Sequence, residues 1–137
     1  VRIGGGVNHR FGLFDMILIK DNHVDFAGGI TQAIDACHKY LDANGLTLAI
    51  EIETRSLEEV KQVLDHGGVQ SIMLDNFSFE KLTEAVKMIG RRFETEASGG
   101  ITIETVRKYA ECGVDFVSAG SLTHHISSLD LSLKAIK

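Results

Sequence analysis

Five short apolar segments recur along the chain, and each is bounded by glycine, asparagine, aspartate or charged residues. Their length and their apolar or alternating side chains are typical of buried and half-buried β-strands. The predicted strands are Met16–Ile19, Leu46–Ile52, Ser71–Leu74, Phe93–Ala97 and Phe116–Ala119.

Helical periodicity fills the intervals between these strands. The segment Ile30–Ala43 places its apolar side chains on one stripe: Ile30, Ala33, Ile34, Cys37 and Leu41. Ser56 and Glu59 form a capping-box pattern at the start of the next helix. Three helices are predicted to begin at the caps Ser56, Ser78 and Thr102 and to end before Gly67, Gly90 and Gly113.

Strands that alternate with helices predict a parallel α/β sheet. Two architectures fit this order, an open doubly wound sheet and part of a (β/α) barrel. The chain of 137 residues shows no internal linker or low-complexity tract, so we expect a single domain over residues 1–137. The chain begins at Val1, close to a Gly-Gly-Gly run, and we expect it to be a piece of a longer polypeptide.

Composition limits the classes of partner. The net charge is −5, which does not favour nucleic-acid binding, although local clusters can still bind anions. No apolar run is long enough to cross a membrane, and no signal peptide is recognisable. Cys37 and Cys112 form no paired motif, so we expect free thiols and a cytoplasmic location.

Polar residues follow every predicted strand at its carboxyl end, where α/β enzymes place their active sites. They are Lys20, then Glu51 and Glu53, then Asp75 and Asn76, then Ser98, Gly99 and Gly100, and finally Gly120 and Ser121. Glu51 and Glu53 lie two positions apart and therefore share one face of their strand. Burying two carboxylates is costly unless a cation such as Lys20 or Mg²⁺ accompanies them. For any one of these residues, a structural ion pair or simple solvation is the alternative.

Two glycine-containing loops suggest an anion site. Ser98–Gly100 and the loop at Gly120 follow consecutive predicted strands, and bare backbone N–H groups there are suited to phosphate. His124 can add a donor, although a lone histidine in a loop is more often surface. Before the first strand, His9 and Arg10 are suited to carboxylate recognition, and a surface arginine after a flexible glycine segment is the alternative.

Several segments occur together in an order that closely resembles one enzyme family. They are IGGGVNHRFGLFDMILIKDNH, EIET, IMLDN, EASGGIT and SAGSLTHH followed by LDLSL. The chain resembles, over nearly its whole length, the C-terminal part of quinolinate phosphoribosyltransferase, also called nicotinate-nucleotide pyrophosphorylase (carboxylating). His125 departs from the resemblance, because a small residue is expected there.

The resemblance implies a fold and a reaction. The fold would be the C-terminal portion of an incomplete TIM-like (β/α) barrel. The N-terminal sandwich domain and the first barrel strands would lie outside this chain, so we expect the chain alone to be inactive. The reaction would convert quinolinate and phosphoribosyl pyrophosphate into nicotinate mononucleotide, CO₂ and pyrophosphate with Mg²⁺, in NAD biosynthesis. Family members form dimers or hexamers of dimers.

The resemblance also implies roles for single residues. His9, Arg10 and Lys20 would bind the quinolinate carboxylates, and Glu53 and Asp75 would contact the ribose hydroxyls and the metal. The phosphate-binding positions would be Ser98, Gly99, Gly100, Gly120 and His124. Lys20, Glu53 and Asp75 would be the catalytic set.

Three other functions fit part of this pattern. One is a relative on the same fold with another acceptor, of the molybdenum-transport-associated type. A second is a Schiff-base lyase or aldolase that uses Lys20, but the neighbouring carboxylates would keep that lysine charged. A third is a non-catalytic fragment that binds anions without turnover.

Overall fold

The computed structural model describes residues 1–124 and 131–134, and His125 lies outside them. Five strands form one parallel sheet: β1 (Met16–Ile19), β2 (Ala49–Thr54), β3 (Ser71–Asp75), β4 (Glu94–Ser98) and β5 (Phe116–Val117). Their order across the sheet is the order along the chain. A doubly wound sheet needs a point where the strand order reverses, and these five strands have none. The predicted α/β fold with barrel-type strand order is confirmed.

Five helices connect or precede the strands: α1 (Asp21–Ala27), α2 (Ile30–Asn44), α3 (Leu57–His66), α4 (Phe79–Ile89) and α5 (Val106–Glu111). The predicted caps of α3 and α4 are present, because Ser56 and Ser78 accept hydrogen bonds from the N–H groups of Glu59 and Lys81. The reciprocal half of the capping box is displaced by one residue. The Glu59 carboxylate accepts the N–H of Arg55 rather than that of Ser56.

One face of the sheet packs against the helices and forms the core. Its strand residues include Ile19, Ile50, Ile52, Ile72, Leu74 and Ala97. The helices contribute the stripes that the periodicity predicts, such as Ile30, Ala33, Ile34 and Leu41 on α2 and Leu82, Ala85 and Ile89 on α4. Burying these apolar side chains supplies the main driving force for folding this layer. The opposite face of the same strands is therefore left for polar residues.

Four of the five strands differ from the sequence prediction at one or both ends, and one helix was not predicted. Strand β2 begins at Ala49 rather than Leu46, and β5 ends at Val117 rather than Ala119. Helix α1 was not predicted, because its seven residues are mostly polar and carry little periodicity. It begins directly after Lys20, whose N–H donates to His23 Nδ1, and ends at Gly28 with a left-handed φ of 91°.

Helix α5 also begins later than predicted. Its first residue is Val106, and a turn separates it from Thr102. The Thr102 side chain does not cap this helix. Instead the Thr102 N–H donates to Thr105 Oγ1 at 2.9 Å. The glycines of the Ser98–Gly100 loop therefore do not lead directly into a helix.

None of the helices within the described residues combines the length and the apolar character needed to span a bilayer.

Candidate active site

The face of the sheet opposite the core carries most of the predicted site. Side chains alternate along each strand, so the residues out of phase with the core isoleucines share this second face. They are Lys20 after β1, Glu51 and Glu53 on β2, Ser71, Met73 and Asp75 on β3, and Glu94, Glu96 and Ser98 on β4. We call this surface the inner face. The predicted convergence of charged strand residues on one face is confirmed.

A histidine from the segment before β1 lies against two glutamates of the inner face. His9 Nε2 is 2.5 Å from Glu51 Oε2 and 3.8 Å from Glu96 Oε2. Both carboxylates are buried, at 2% and 7% relative exposure. Two carboxylates in so little solvent require a compensating cation or a proton.

The pKa of the Glu96 carboxyl reflects this need for a cation or a proton. Burial raises the pKa of the Glu96 carboxyl, and the nearby Glu51 carboxylate raises it further, whereas Ser118 and His9 act in the opposite direction. Among the described residues, Glu96 Oε1 is buried without a hydrogen-bond partner. A protonated Glu96 next to an ionised Glu51 would relieve the like-charge repulsion.

A groove of about 660 Å³ runs along this part of the inner face. His9, Arg10, Glu51 and Glu96 line it together with residues of the β5 loop, including Ser118 and Gly120. His9 and Arg10 thus share a groove with one of the predicted phosphate loops. The carboxylate-binding role of the pair stays a prediction.

Lys20, Glu53 and Asp75 form a second charged group, at the carboxyl ends of β1, β2 and β3. Burial is the main reason that the pKa of Glu53 is raised, and the negative charges of Asp75 and Asp21 add to the effect. Lys20 and Arg55 oppose it. Glu53 lies two residues beyond Glu51 on the same strand, so the two groups are about 7 Å apart along the sheet.

The Ser98–Gly100 loop contacts the end of β3. The N–H of Asn76 donates to the carbonyl of Ser98 at 2.9 Å, and Asp75 pairs with Ser98 in the sheet. Gly99 adopts a φ of 98°, and a side chain there would overlap Asn76 Oδ1. Within the described part of the chain, the N–H groups of Gly99 and Gly100 have no acceptor. They are free to bind an anion.

The second predicted phosphate loop lies beside the first, after β5. Gly120 begins a short 3₁₀ turn that ends at Leu122. The carbonyl of Gly120 accepts the N–H of His124, and the imidazole of His124 lies close to Gly120. Since β4 and β5 are neighbours, both glycine loops lie at the same edge of the sheet.

Comparison with known proteins decides the family. A family model described as the C-terminal domain of quinolinate phosphoribosyl transferase matches residues 1–134. The chain belongs to the quinolinate phosphoribosyltransferase family. It is 49% identical to the chloroplastic nicotinate-nucleotide pyrophosphorylase (carboxylating) of Arabidopsis thaliana, with 98% of this chain and 42% of the relative covered. It is 41% identical to a probable enzyme of the same name from Bacillus subtilis, covering 97% of this chain and 45% of that protein.

Solved structures of the family have the same fold. The chain superposes on NadC from Streptococcus pyogenes with a TM-score of 0.88 and 40% identity, covering 98% of this chain and 46% of the other. It superposes on the nicotinate-nucleotide pyrophosphorylase of Francisella tularensis with a TM-score of 0.84 and 43% identity, covering 96% and 45% of the two chains. This chain of the quinolinate phosphoribosyltransferase family thus spans less than half the length of these relatives.

Two features of this quinolinate phosphoribosyltransferase chain were missed from sequence. Glu96 was not selected, although it shares the phase of Ser98 on the same strand. Glu51 was expected beside Glu53 with Lys20 or Mg²⁺ as its partner, and its contact with His9 was missed because the two residues are 42 positions apart. The available signal for Glu96 was its position two residues before Ser98, which places both side chains on one face of a central strand, where a carboxylate is costly to bury.

Proposed function

We propose that the full-length protein transfers a phosphoribosyl group to quinolinate with decarboxylation. The products would be nicotinate mononucleotide, CO₂ and pyrophosphate, and the reaction would serve NAD biosynthesis. Membership of the quinolinate phosphoribosyltransferase family over residues 1–134 is the observation that carries the proposal. The groove that joins His9 and Arg10 to the Gly120 loop supports it, because acceptor and phosphate sites must be adjacent.

The acceptor would lie in the groove at His9 and Arg10. Quinolinate has two adjacent carboxylates, and arginine can bind a carboxylate through two parallel hydrogen bonds. Lys20 directly follows β1 at the carboxyl edge of the same face and would add a further positive charge. Three hydrogen-bond donors, two of them on cationic side chains, favour a dianion over a monocarboxylate acceptor, which is the specificity that the reaction needs.

The phosphoribosyl donor would lie across the ends of β3, β4 and β5. The free N–H groups of Gly99 and Gly100 would bind the 5′-phosphate together with Ser98, Gly120 and His124. Glu53 and Asp75 would accept hydrogen bonds from the ribose hydroxyls. As bond cleavage leaves positive charge on the ribose, these two carboxylates would stabilise it electrostatically.

Mg²⁺ is the cofactor that we propose. The raised pKa of Glu53, caused by burial and by the charges of Asp75 and Asp21, indicates a carboxylate group that a hard cation would stabilise. Glu53 and Asp75 would hold the ion together with oxygens of the donor. When bound, Mg²⁺ neutralises negative charge on the departing pyrophosphate.

Decarboxylation needs no nucleophile from the protein. Transfer leaves the pyridine nitrogen positively charged. Cleavage of the bond to the adjacent carboxylate would release CO₂ and leave the electron pair on the ring carbon beside that charge, and a proton from solvent would then bind this carbon to give nicotinate mononucleotide. His9, Arg10 and Lys20 would orient the two carboxylates of quinolinate. The protein's contribution is therefore binding, orientation and electrostatics.

We further propose that the working enzyme is a homodimer or a hexamer of dimers, with part of the site supplied by segments beyond these 137 residues. A cytoplasmic location stays a prediction, since relatives with this activity in their names include chloroplastic and mitochondrial proteins.

Steady-state kinetics on the full-length protein test the proposed function. Nicotinate mononucleotide should form from quinolinate and phosphoribosyl pyrophosphate only when Mg²⁺ is present, with one CO₂ released for each product. Nicotinate should be a poor acceptor, because it lacks one carboxylate. Phosphoribosyl pyrophosphate binding without turnover of either acceptor would contradict the proposal.

A further inference from the structure

One side of the His9 imidazole faces the buried carboxylates of Glu51 and Glu96. Its Nε2 is 2.5 Å from Glu51 Oε2 and 3.8 Å from Glu96 Oε2. The Glu51 side chain is 3% exposed, whereas the His9 side chain is 29% exposed and lines the groove. One edge of the imidazole therefore faces the interior of the sheet, and the remainder is accessible from the groove.

This contact determines what the other ring nitrogen can do. A carboxylate accepts hydrogen bonds and donates none when ionised, so a bond between the two requires the proton on His9 Nε2. Within the described residues, His9 Nδ1 has no hydrogen-bond partner. To bind a carboxylate of the acceptor, Nδ1 must also carry a proton, because only an N–H group can donate to a carboxylate.

A direct hydrogen bond accounts for the distances better than a metal ion. The donor atoms of His9, Glu51 and Glu96 lie within 4.8 Å of one another, which is close enough to consider a cation. Two ligands of a tetrahedral metal at ordinary bond lengths are about 3.4 Å apart. The contact between His9 Nε2 and Glu51 Oε2, at 2.5 Å, is closer than that and corresponds to a direct hydrogen bond.

We propose that Glu51 is a positioning residue for the acceptor: its buried carboxylate accepts Nε2–H of His9 and leaves Nδ1–H as a donor to a carboxylate of the substrate. The inference rests on the proposed function, because it assigns a carboxylate ligand to the groove. Glu51 does not touch the acceptor itself. It acts through His9, as outer residues do when they fix the tautomer and orientation of a histidine ligand.

The test compares Glu51→Gln with Glu84→Gln in the full-length protein. Glu84 is an exposed glutamate of α4 and does not line the groove, so its substitution removes the same charge without touching the inner face. Glu51→Gln should raise the quinolinate KM about tenfold or more, which is the loss expected for a charge-assisted hydrogen bond. Glu84→Gln should change it less than about twofold, and phosphoribosyl pyrophosphate affinity should stay within about twofold in both.

A double-mutant cycle with His9→Ala tests whether Glu51 affects the acceptor through His9. In the His9→Ala background, Glu51→Gln should have no further effect on quinolinate KM, because the histidine that it positions is gone. In the single variant, ¹⁵N NMR of His9 with quinolinate bound should show loss of the state in which both ring nitrogens are protonated. If Glu51→Gln does not fold, Glu51→Asp retracts the carboxylate from Nε2 and is judged by the same criteria.

Failure of the role proposed for Glu51 can be distinguished from failure of the proposed function. If His9→Ala weakens quinolinate but Glu51→Gln does not, or if the two effects add, Glu51 does not position His9 while the proposed function stands. If His9→Ala leaves quinolinate kinetics unchanged, the acceptor does not bind at this histidine, and the assignment under the proposed function fails first.

Discussion

A single added methyl group at Gly99, as in Gly99→Ala, should distort the Ser98–Gly100 loop. The Gly99 φ of 98° is unfavourable for alanine, at a cost of about 1–2 kcal/mol. An added Cβ would also overlap Asn76 Oδ1 and lie 2.9 Å from the Asn76 backbone nitrogen. The side-chain amide can rotate away, but the backbone nitrogen cannot move without weakening its 2.9 Å hydrogen bond to the Ser98 carbonyl.

The chain offers a matched control in the next residue. Gly100 has a φ of 60°, so alanine there carries a similar backbone cost, but its Cβ would meet nothing within 4 Å. Overpacking against backbone costs about 1–3 kcal/mol. We therefore expect Gly99→Ala to be destabilised by about 2–5 kcal/mol and Gly100→Ala by about 1–2 kcal/mol.

Urea unfolding of both variants in the full-length protein measures this difference, and calorimetric titration with phosphoribosyl pyrophosphate measures its effect on binding. Gly99→Ala should also lose more affinity for the donor, because the displaced loop carries the free N–H groups. Unfolding free energies of the two variants within about 0.5 kcal/mol of each other, which is the scatter of such measurements, would refute the steric reasoning.

Four further outcomes are expected. Asp75→Asn should weaken Mg²⁺-dependent binding of phosphoribosyl pyrophosphate and leave quinolinate binding nearly unchanged, and equal losses in calorimetry would count against its assignment. Arg10→Ala should cost about 2–5 kcal/mol in kcat/KM for quinolinate and narrow the preference over nicotinate, and unchanged kinetics would favour a different acceptor. The raised pKa of Glu96 means that its carboxyl binds a proton more tightly in the folded protein than in the unfolded chain. Its contribution to stability is therefore present below its unfolded pKa and is lost as pH rises. Glu96→Gln should stabilise the protein at pH 8 but not at pH 4, as pH-dependent unfolding would show. The isolated 137-residue chain should give no detectable turnover, and robust product formation by it would contradict the incomplete-site argument.

The sequence was sufficient for the parts of the fold that depend on local patterns. The apolar runs predicted all five strands, and the apolar stripes and serine caps predicted α2, α3 and α4, because burial and capping act over a few residues. Helix α1 and the late start of α5 depend on specific hydrogen bonds at Lys20 and Thr102, and composition does not reveal those bonds. Element boundaries are governed by such contacts.

For the candidate site, strand phase predicted which residues share the inner face but not which of them touch. Glu53 and Asp75 could be placed there because they lie at the carboxyl ends of their strands, Asp75 as the last residue of β3 and Glu53 as the last but one of β2. The contact of His9 with Glu51 depends on how the segment before β1 crosses the sheet, which no local pattern specifies. The phase of Glu96 placed it on the inner face, but its contacts with Glu51 and His9 depend on neighbours across the sheet.

Crystallography of the full-length protein with quinolinate and a non-hydrolysable analogue of phosphoribosyl pyrophosphate tests the central claim most directly. The claim is that the inner face of this sheet binds both substrates. We expect the quinolinate carboxylates against His9 and Arg10, and the 5′-phosphate at Ser98–Gly100 beside Gly120. Electron density for quinolinate away from the inner face, or for the phosphate away from both glycine loops, would contradict the account.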